Sequence, residues 1–401
     1  MKTLNIPLKG LTKGQFLELR NYSLHTNSLY NCCLYLIKNH YEATSKYIGF
    51  NQLYHEMKLN EHYQYLPKKV GNQILKIADQ SYRSFFACLS AKKKGTINNS
   101  VSKPRYRKGG DFYVIPMCNQ QFTIGKGKLK ITKDIKLPFS YELGGKVKCA
   151  TIKPYVNGTQ FKLSIIYENE IEKIKTEPDH IMSIDLGLNN LATCYSNVGR
   201  DIIVNGKPLK AYNQLYNKRK AKMKSELEIK NKMKYSQKLR KMDYNRNNFI
   251  KNYIDQSVNM IKKEVINQQI SKVVIGYNEN WKQNINIGKK NNQNFVGIPH
   301  FTFKEKLKNK LEEIGVEVIF HEESYTSKCS ALDVENVKKH EKYYGHRVKR
   351  GLFKSSKGLL INADLNGAIN IMRKVIPDAI CFAKGIERCI VHPKMLNLFN
   401  S

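Results

Sequence analysis

Three carboxylates stand at the ends of apolar segments, where a side chain can leave the core and take part in chemistry. Asp185 ends one apolar run, Glu323 follows another, and Asp364 lies in the first turn of a segment with helical spacing. Such side chains can converge over a central sheet although they are far apart in sequence. A converged set would hold two divalent cations about 4 Å apart and promote phosphodiester hydrolysis. Carboxylate oxygens suit Mg²⁺ or Mn²⁺.

Two of these carboxylates also have a plain structural interpretation. Asp185 precedes Gly187 by two positions, and an Asp before a glycine is often only a turn residue. Asp364 would stabilise the start of its helix through the helix dipole. Gly187 itself is expected to supply the backbone geometry that the chain needs beside Asp185. Spacing alone therefore leaves both interpretations open.

The elements that must position these residues fall into two groups. Residues 1–12 predict a strand and turn, and residues 100–170 alternate apolar with polar side chains, which indicates a β-rich module. Helical spacing predicts helices over 13–48 and 69–93. The chain after residue 179 alternates strands with helices, which is typical of an α/β domain. Its predicted elements are strands at 181–185, 272–277 and 316–320, and helices at 301–314 and 362–375, the last with Asn362 as its N-cap.

The composition favours a polyanionic partner. The 401 residues contain 69 Lys and Arg against 33 Asp and Glu, a formal charge of +36. A membrane is excluded as the partner, because the sequence has no apolar run of about 18 residues and no signal-peptide pattern at its start. The expected location is the bacterial cytoplasm, or the nucleus of a eukaryotic or viral host. The nine cysteines contain no CxxC pair, so we expect reduced, buried thiols.

Basic residues cluster in three segments that we predict to contact nucleic acid. The helical run at 210–251 carries a large excess of Lys and Arg over acids, and the segments 103–110 and 338–358 are also basic. The predicted contacts are Lys218, Arg219, Lys220, Lys222, Arg240 and Lys241 in the first segment, Arg105 and Arg107 in the second, and Arg347 and Arg350 in the third. Trp281 and Tyr325 flank the carboxylates and either stack on an unpaired base or pack in the core.

Three blocks of sequence together resemble the TnpB family, the RNA-guided nucleases of insertion sequences. The blocks read SIDLGLNNLAT at 183–193, TSKCS at 326–330 and RGLFKSSKGLLINADLNGAINI at 350–371. TnpB proteins are relatives of type V CRISPR effectors and of Fanzor proteins. The resemblance covers about 180 to 375, and the first half of the chain matches only in layout.

The resemblance implies an α/β and α+β multidomain fold. Its expected parts are a WED-like β-barrel from residues 1–12 and 100–178, a REC-like helical insertion at 13–99, an RNase H-like RuvC nuclease domain at 179–375, and a tail at 376–401 without an interpretable motif. Within the nuclease domain, we expect a basic helical insertion at 210–265 and a basic loop at 325–361 where relatives carry a zinc finger.

The family's first and last catalytic acids match Asp185 and Asp364, but the middle acid departs from the pattern. Where family members often carry a glutamate at the end of the second core strand, this strand ends in Gly276. Glu323 and its neighbour Glu322 lie at the end of the next strand, where some TnpB and Fanzor proteins carry the relocated residue. Glu279 is the backup candidate, although it is out of phase with the strand. We expect Glu323 to complete the site.

A second departure concerns zinc. Family members often carry paired CxxC motifs before the last acid, whereas this chain has only Cys329, His340 and His346 in that region. Three scattered ligands are a weak zinc pattern. We therefore expect two Mg²⁺ or Mn²⁺ ions and no zinc.

The function expected from the resemblance is RNA-guided, metal-dependent cutting of double-stranded DNA next to a short flanking motif. The guide RNA would come from the end of the mobile element itself. Two alternatives stay open: an RNA-guided repressor that does not cut, which Gly276 would explain, and a transposase or its accessory nucleic-acid-binding protein, since strand transfer uses a similar acidic triad. The sequence does not predict an oligomeric state.

Overall fold

The computed structural model describes residues 1–125, 127–130, 135–139, 141, 143–168, 173–198, 201–278, 297–377 and 393–398. The chain divides into two compact units, Met1–Glu170 and Ile171–Ser401. Each unit has its own buried apolar cluster. Among the described residues, no helix combines the length and the apolar composition that a membrane span requires.

The first unit places helices between its first two strands. Its elements up to the second strand are β1 (Lys2–Pro7), α1 (Lys13–Thr44), α2 (Phe50–Met57), α3 (Glu61–Tyr65), α4 (Lys68–Lys93) and β2 (Ile115–Cys118). Thr12 and Gln15 form a capping box that begins α1, and Ser45 ends it in the left-handed conformation with φ 54°. The helix is therefore shorter than the predicted 13–48, and the short helices α2 and α3 follow it.

The remaining strands of the first unit form two antiparallel sheets. They are β3 (Thr123–Gly125), β4 (Lys128–Lys130), β5 (Lys136–Pro138), β6 (Val147–Tyr155) and β7 (Gln160–Tyr167). One sheet has the order β1-β7-β6-β2 and the other the order β3-β4-β5. The pairing of β1 with β7 brings the start of the chain beside the end of this unit. The closed barrel expected from the sequence remains a prediction.

The second unit is built on one six-stranded sheet and a small three-stranded sheet. Its strands are β8 (Glu177–Leu186), β9 (Asn190–Ser196), β10 (Ile202–Asn205), β11 (Ile270–Tyr277), β12 (Glu317–Glu322), β13 (His346–Lys349), β14 (Leu352–Lys354), β15 (Leu360–Asn362) and β16 (Lys394–Leu396). Its helices are α5 (Lys207–Asn231), α6 (Gln237–Asn267), α7 (His300–Glu312) and α8 (Ala363–Val375).

The order of the large sheet gathers strand ends at one edge. The order is β12-β11-β8-β9-β10-β16. Strands β8, β11 and β12 run parallel, and β8, β9 and β10 form an antiparallel meander. The apolar runs of β8 and β11 are buried, as expected for strands covered on both faces. Because parallel strands end on the same side, the residues that follow β8, β11 and β12 meet at one edge of the sheet.

Two features of local structure in this unit were not predicted. The basic helical run at 210–251 is divided between α5 and α6, because Lys232 takes a left-handed conformation with φ 50° and α6 begins only after its N-cap Ser236. The basic loop expected at 325–361 contains the antiparallel sheet β13-β14-β15. Gly351, with φ +83°, allows the tight turn between β13 and β14, which basic composition alone does not reveal.

Candidate active site

Asp185 and Glu323 lie at the same edge of the six-stranded sheet. Asp185 is the second-last residue of β8. Glu323 comes directly after β12, and its backbone N–H donates to the carbonyl of Tyr277 at 3.3 Å. This bond continues the ladder between β12 and β11, in which Gly276 pairs with His321. The backbone thus fixes Glu323 beside the end of β11.

Two glycines leave the space that these carboxylates occupy. A Cβ added to Gly276 would lie 2.6 Å from Glu323 Oε2 and 2.5 Å from Ile371 Cδ1. A Cβ added to Gly367 would lie 2.7 Å from Asp185 Oδ2. The Glu323 carboxylate therefore stands where a side chain at position 276 would begin. The carboxylate beside the end of β11 is therefore supplied by the strand next to it.

Asp364 enters the same site from the first turn of α8. The side chain of Asn362 caps this helix and accepts hydrogen bonds from the backbone of Asp364 at 3.0 Å and of Leu365 at 3.2 Å. Asn190, the first residue of β9, donates its Nδ2 to Asp364 Oδ2 at 2.7 Å. A guanidinium nitrogen of Arg347, on β13, lies 3.8 Å from Asp364 Oδ1. The carboxylate is thus oriented by an amide and approached by a cation.

Helix α8 is fastened to the sheet and to the segment that follows Glu323. Ser183 Oγ donates to the carbonyl of Ala368 at 2.6 Å, which docks the helix on β8. The buried amide of Asn370 donates to the carbonyls of Thr326 at 2.9 Å and Cys329 at 2.7 Å. Asn366 donates to the same Cys329 carbonyl at 2.9 Å. These bonds hold the TSKCS segment, and with it Glu323, against the helix that carries Asp364.

The electrostatics of the site favour protonated acids in the absence of a cation. Burial raises the pKa of Asp185 well above its ordinary value, and the charges of Glu323 and Asp364 raise it further. Arg347 acts in the opposite direction on that pKa. Burial and the nearby Glu322 raise the pKa of Glu323 to about 7. Carboxylates that destabilise one another in this way gain most from a shared cation.

The donor set fits a divalent cation. Glu323 Oε1 accepts from Asn278 Nδ2 at 3.2 Å, whereas Glu323 Oε2 is buried and has no hydrogen-bond partner among the described residues. A buried carboxylate oxygen without a partner costs free energy unless a ligand compensates it. The site thus offers three carboxylates, one of which has a buried oxygen that no described residue hydrogen-bonds. Carboxylate oxygens are the hard donors that Mg²⁺ and Mn²⁺ prefer.

The other candidates for the middle acid fare differently. Glu322 is exposed and forms an ion pair of 3.0 Å with Lys374, on the last turn of α8. Glu279 and Trp281 lie outside the described residues. Tyr325 is partly exposed and has a left-handed backbone with φ 67°.

Three residues of the site were not predicted from the sequence: Asn190, Asn278 and Gly367. The only signal for them was their position inside or next to the blocks that carry the acids.

The basic residues predicted to contact nucleic acid lie mainly at the surface. Lys218, Arg219, Lys222, Arg240 and Lys241 are exposed on α5 and α6. A groove of about 480 Å³ is lined by Arg219, Lys222, Lys238 and Lys241, with Glu226 as its one acid. Lys220 differs, because its ammonium pairs with Asp243 at 3.0 Å. Arg347 and Arg350 are exposed on and after β13. Their role in nucleic-acid binding remains a prediction.

A second group of potential ligands surrounds Cys329. The donor atoms of Cys329, Glu335 and His340 lie within 4.8 Å of one another, and His346 is not among them. Glu335 accepts from the backbone of Ser330 at 2.7 Å and of Tyr344 at 3.1 Å. His340 Nε2 donates to the carbonyl of Asn336 at 2.7 Å. These bonds tie the loop to itself, and the expected absence of zinc remains a prediction.

Two family models match the second unit. Residues 164–282 match the OrfB_IS605 model, described as a probable transposase, and residues 300–371 match the Cas12f1-like TNB domain. No curated protein matches the sequence significantly.

Solved structures of Cas12 proteins resemble the whole chain. Cas12f1 in a complex with single-guide RNA and target DNA is 16% identical, with a TM-score of 0.56 over 90% of this chain and 83% of that one. A CRISPR-Cas12f ternary complex is 15% identical, with a TM-score of 0.39 over 90% and 82%. AacC2c1 in a ternary complex is 9% identical, with a TM-score of 0.41 over 91% and 69%. At such identity, the first of these likenesses shows the fold.

The antiparallel meander, the two parallel strands beside it and the likeness to Cas12f1 define a multidomain α/β protein with a Cas12f-like fold. The two matching models confirm the resemblance to the TnpB family over residues 164–282 and 300–371.

Proposed function

We propose that this protein is an RNA-guided DNA endonuclease of a mobile element. The observation that carries the proposal is the acidic site, in which Asp185, Glu323 and Asp364 meet and one buried oxygen of Glu323 has no partner within the described part of the chain. A relic of a nuclease site would have no reason to keep three acids together. The TnpB family and the likeness to Cas12f1, solved with a guide RNA and target DNA, support RNA guidance.

The chain's own residues account for the chemistry as follows. Asp185, Glu323 and Asp364 would hold divalent ions, Mg²⁺ or Mn²⁺ and two in number. When bound, such ions activate water and stabilise the leaving oxygen of a phosphodiester. Asn190 orients Asp364, and Asn278 orients Glu323, so that neither carboxylate has to reorganise. The exposed Arg347 lies beside Asp364 and would attract the phosphate backbone to the site.

Target choice would rest on base pairing rather than on protein side chains. The guide RNA would come from the element's own end and pair with one strand of double-stranded DNA, and the protein would recognise duplex shape and a short flanking motif. The basic helices α5 and α6 would follow the guide or the heteroduplex through their exposed cations.

The test begins with purification from cells that carry the native flanking DNA, followed by sequencing of any RNA that co-purifies. A duplex matching that RNA is then incubated with Mg²⁺ and either wild type or Asp364→Ala. We expect a discrete RNA, cutting by wild type, and RNA-dependent binding without cutting by Asp364→Ala. Binding without cutting by wild type would instead support a repressor. The lack of any discrete RNA would contradict guided function.

A further inference from the structure

A basic segment of the first unit, residues 103–108, lies as an extended strap along helix α1. The strap has neither helical nor strand conformation, yet it is bound to the helix over several turns. At one end, Lys108 lies beside Asn27, and at the other Lys103 pairs with Glu42 at 3.2 Å. The strap therefore runs antiparallel to α1, and its direction is fixed without a neighbouring strand.

Asparagine side chains of α1 replace the missing strand. Asn31 Oδ1 accepts from the backbone N–H of Arg107 at 2.8 Å, and Asn31 Nδ2 donates to the carbonyl of the same residue at 2.9 Å. This pair of bonds is what a facing residue in an antiparallel sheet would provide. Asn27 Nδ2 donates to the carbonyl of Lys108 at 3.0 Å. The backbone of the strap is thus satisfied by side-chain amides.

Helix α1 has buried polar residues, in place of apolar ones, on the face that contacts the strap. Ser23, Asn27 and Asn31 recur every fourth residue, so they lie on one face of α1, and Ser23 and Asn27 are fully buried. Asn is a poor residue for a helix interior, and buried polar groups are tolerated only when they are hydrogen-bonded. Ser23 bonds the backbone of Tyr113, five residues after the strap, through both its hydroxyl and its carbonyl. The polar face of α1 therefore holds the strap in one conformation.

Within the strap, Arg107 differs from its basic neighbours. Its Nε donates to Asn27 Oδ1 at 2.9 Å, and its guanidinium lies 4.0 Å from the centre of the Tyr113 ring. Arg107 thus helps to anchor the strap. Arg105, Tyr106 and Lys108 are exposed, with Tyr106 50% exposed, and Lys103 is exposed but pairs with Glu42. Tyr35, one turn beyond Asn31 on α1, is 61% exposed.

We propose that the strap is a preorganised binding surface for a single nucleic-acid strand, with Arg105 and Lys108 on its phosphates and Tyr106 on an unpaired base. Alternating cations and exposed aromatics are the combination that single strands select, because every base has a face to stack. The hydrogen-bonded backbone lowers the entropy lost on binding. The proposal rests on the proposed function in one respect: that function would supply the strand, either as guide RNA or as unwound DNA.

The test measures binding of the full chain to a fluorescent 20-nucleotide single strand over a series of salt concentrations, in EDTA so that cutting does not intervene. The same sequence is used as RNA and as DNA. The variant Arg105→Gln/Lys108→Gln should lower the slope of log affinity against log salt by about 1.4, since each lost phosphate contact on a single strand removes about 0.7. Lys128→Gln/Lys130→Gln, two exposed lysines on β4, is the charge-matched control and should leave the slope unchanged.

A third variant, Asn31→Ala, distinguishes the anchoring of the strap to α1 from the contact of its cations with nucleic acid. It removes the hydrogen bonds to the backbone of Arg107 but keeps the cations, so affinity should fall while the slope stays at the wild-type value. A slope change with RNA alone identifies the guide as the ligand, and a change with DNA alone identifies an unwound strand. Equal slopes for the Arg105/Lys108 variant and wild type, or an equal loss with the control pair, would overturn the proposal. Cutting activity enters none of these results.

Discussion

The candidate active site depends on the relation between Gly276, in β11, and Glu323, directly after the neighbouring parallel strand β12. The missing side chain at 276 leaves the space for the carboxylate at 323, because an added Cβ would lie 2.6 Å from its Oε2. The glycine is therefore as much a part of the site as the acid. Either residue alone would leave a cavity or a clash.

Gly276→Ala should impair the site more than the fold. The new methyl group must displace the Glu323 carboxylate and Ile371 Cδ1, both of which are ends of flexible side chains. We expect a loss of cutting of at least tenfold, together with a loss of stability of about 1–3 kcal/mol from overpacking. Cleavage rates and thermal unfolding measure the two effects.

The variant Gly276→Ala/Ile371→Val provides the control. It removes the Ile371 Cδ1 atom that the new methyl group would meet, so stability should return towards wild type. Cutting should remain impaired, because Glu323 is still displaced. Recovery of both properties together would show that the carboxylate is not sensitive to position 276.

The raised pKa of Glu323 predicts how metal-free stability varies with pH. The folded protein keeps the Glu323 proton up to about pH 7, whereas the unfolded chain loses it near the ordinary value of 4.5. The folded state therefore binds more protons between these values, and the free energy of unfolding falls as pH rises through this window, by up to about 3 kcal/mol. Glu323→Gln should remove the Glu323 contribution to this loss, while that of Asp185 remains, and should be more stable than wild type at pH 8 in EDTA.

Thermal unfolding from pH 4 to pH 8 tests this expectation. Glu228→Gln, which removes an exposed acid from α5, is the matched control and should follow wild type. Adding Mg²⁺ at pH 8 should stabilise wild type and the control, but not Glu323→Gln to the same extent. Identical pH profiles for the two variants would contradict the assigned burial of Glu323.

Among the three acids of the site, the sequence predicts Asp185 and Asp364 better than Glu323. Asp185 and Asp364 lie inside recognisable blocks. The choice between Glu322 and Glu323 depends on strand phase, and only the ladder to β11 shows that Glu322 turns outward to Lys374. Asn190 could not be found from the sequence, because its partner Asp364 is distant in the chain and brought near only by the fold.

At the level of elements, α8 carries Asp364 and also holds the segment after Glu323. Asn370→Ala would leave the carbonyls of Thr326 and Cys329 with fewer donors in a buried position. We expect a loss of about 1–3 kcal/mol in the free energy of unfolding and weaker cutting. Asn259→Ala, at an exposed position of α6, serves as the control in denaturant unfolding. An Asn370→Ala protein with unchanged stability would show that these bonds do not fasten the segment.

The long periodic elements follow from the sequence, and the short ones do not. Helix α4 and helix α8 were predicted to within a residue or two at both ends, because their apolar spacing and their caps agree. Helices α2 and α3 are too short for periodicity to indicate them. The sheet β13-β14-β15 is held by pairing between its own strands, which the basic composition of that region conceals.

For the whole molecule, the formal charge of +36 makes the folded protein repel itself. We therefore expect a bound polyanion to raise the free energy of unfolding. Bound guide RNA should raise the unfolding temperature at low salt, and the gain should shrink near 1 M salt, where the screening length falls to about 3 Å. Scanning calorimetry with the co-purified RNA, and with heparin as a non-specific polyanion, measures this effect. An equal gain from heparin would indicate that charge alone, rather than a specific RNA, stabilises the fold.

The most direct test of the central claim compares Glu323→Gln with Glu322→Gln in guided cutting of a matched duplex with Mg²⁺. Both variants remove one charge from adjacent positions, but of the two only Glu323 has a buried oxygen beside Asp185 that no described residue hydrogen-bonds. The account predicts a loss of at least about a hundredfold for Glu323→Gln, since removing a metal ligand costs several kcal/mol of transition-state stabilisation, and near-normal cutting for Glu322→Gln. Normal cutting by Glu323→Gln would contradict the account.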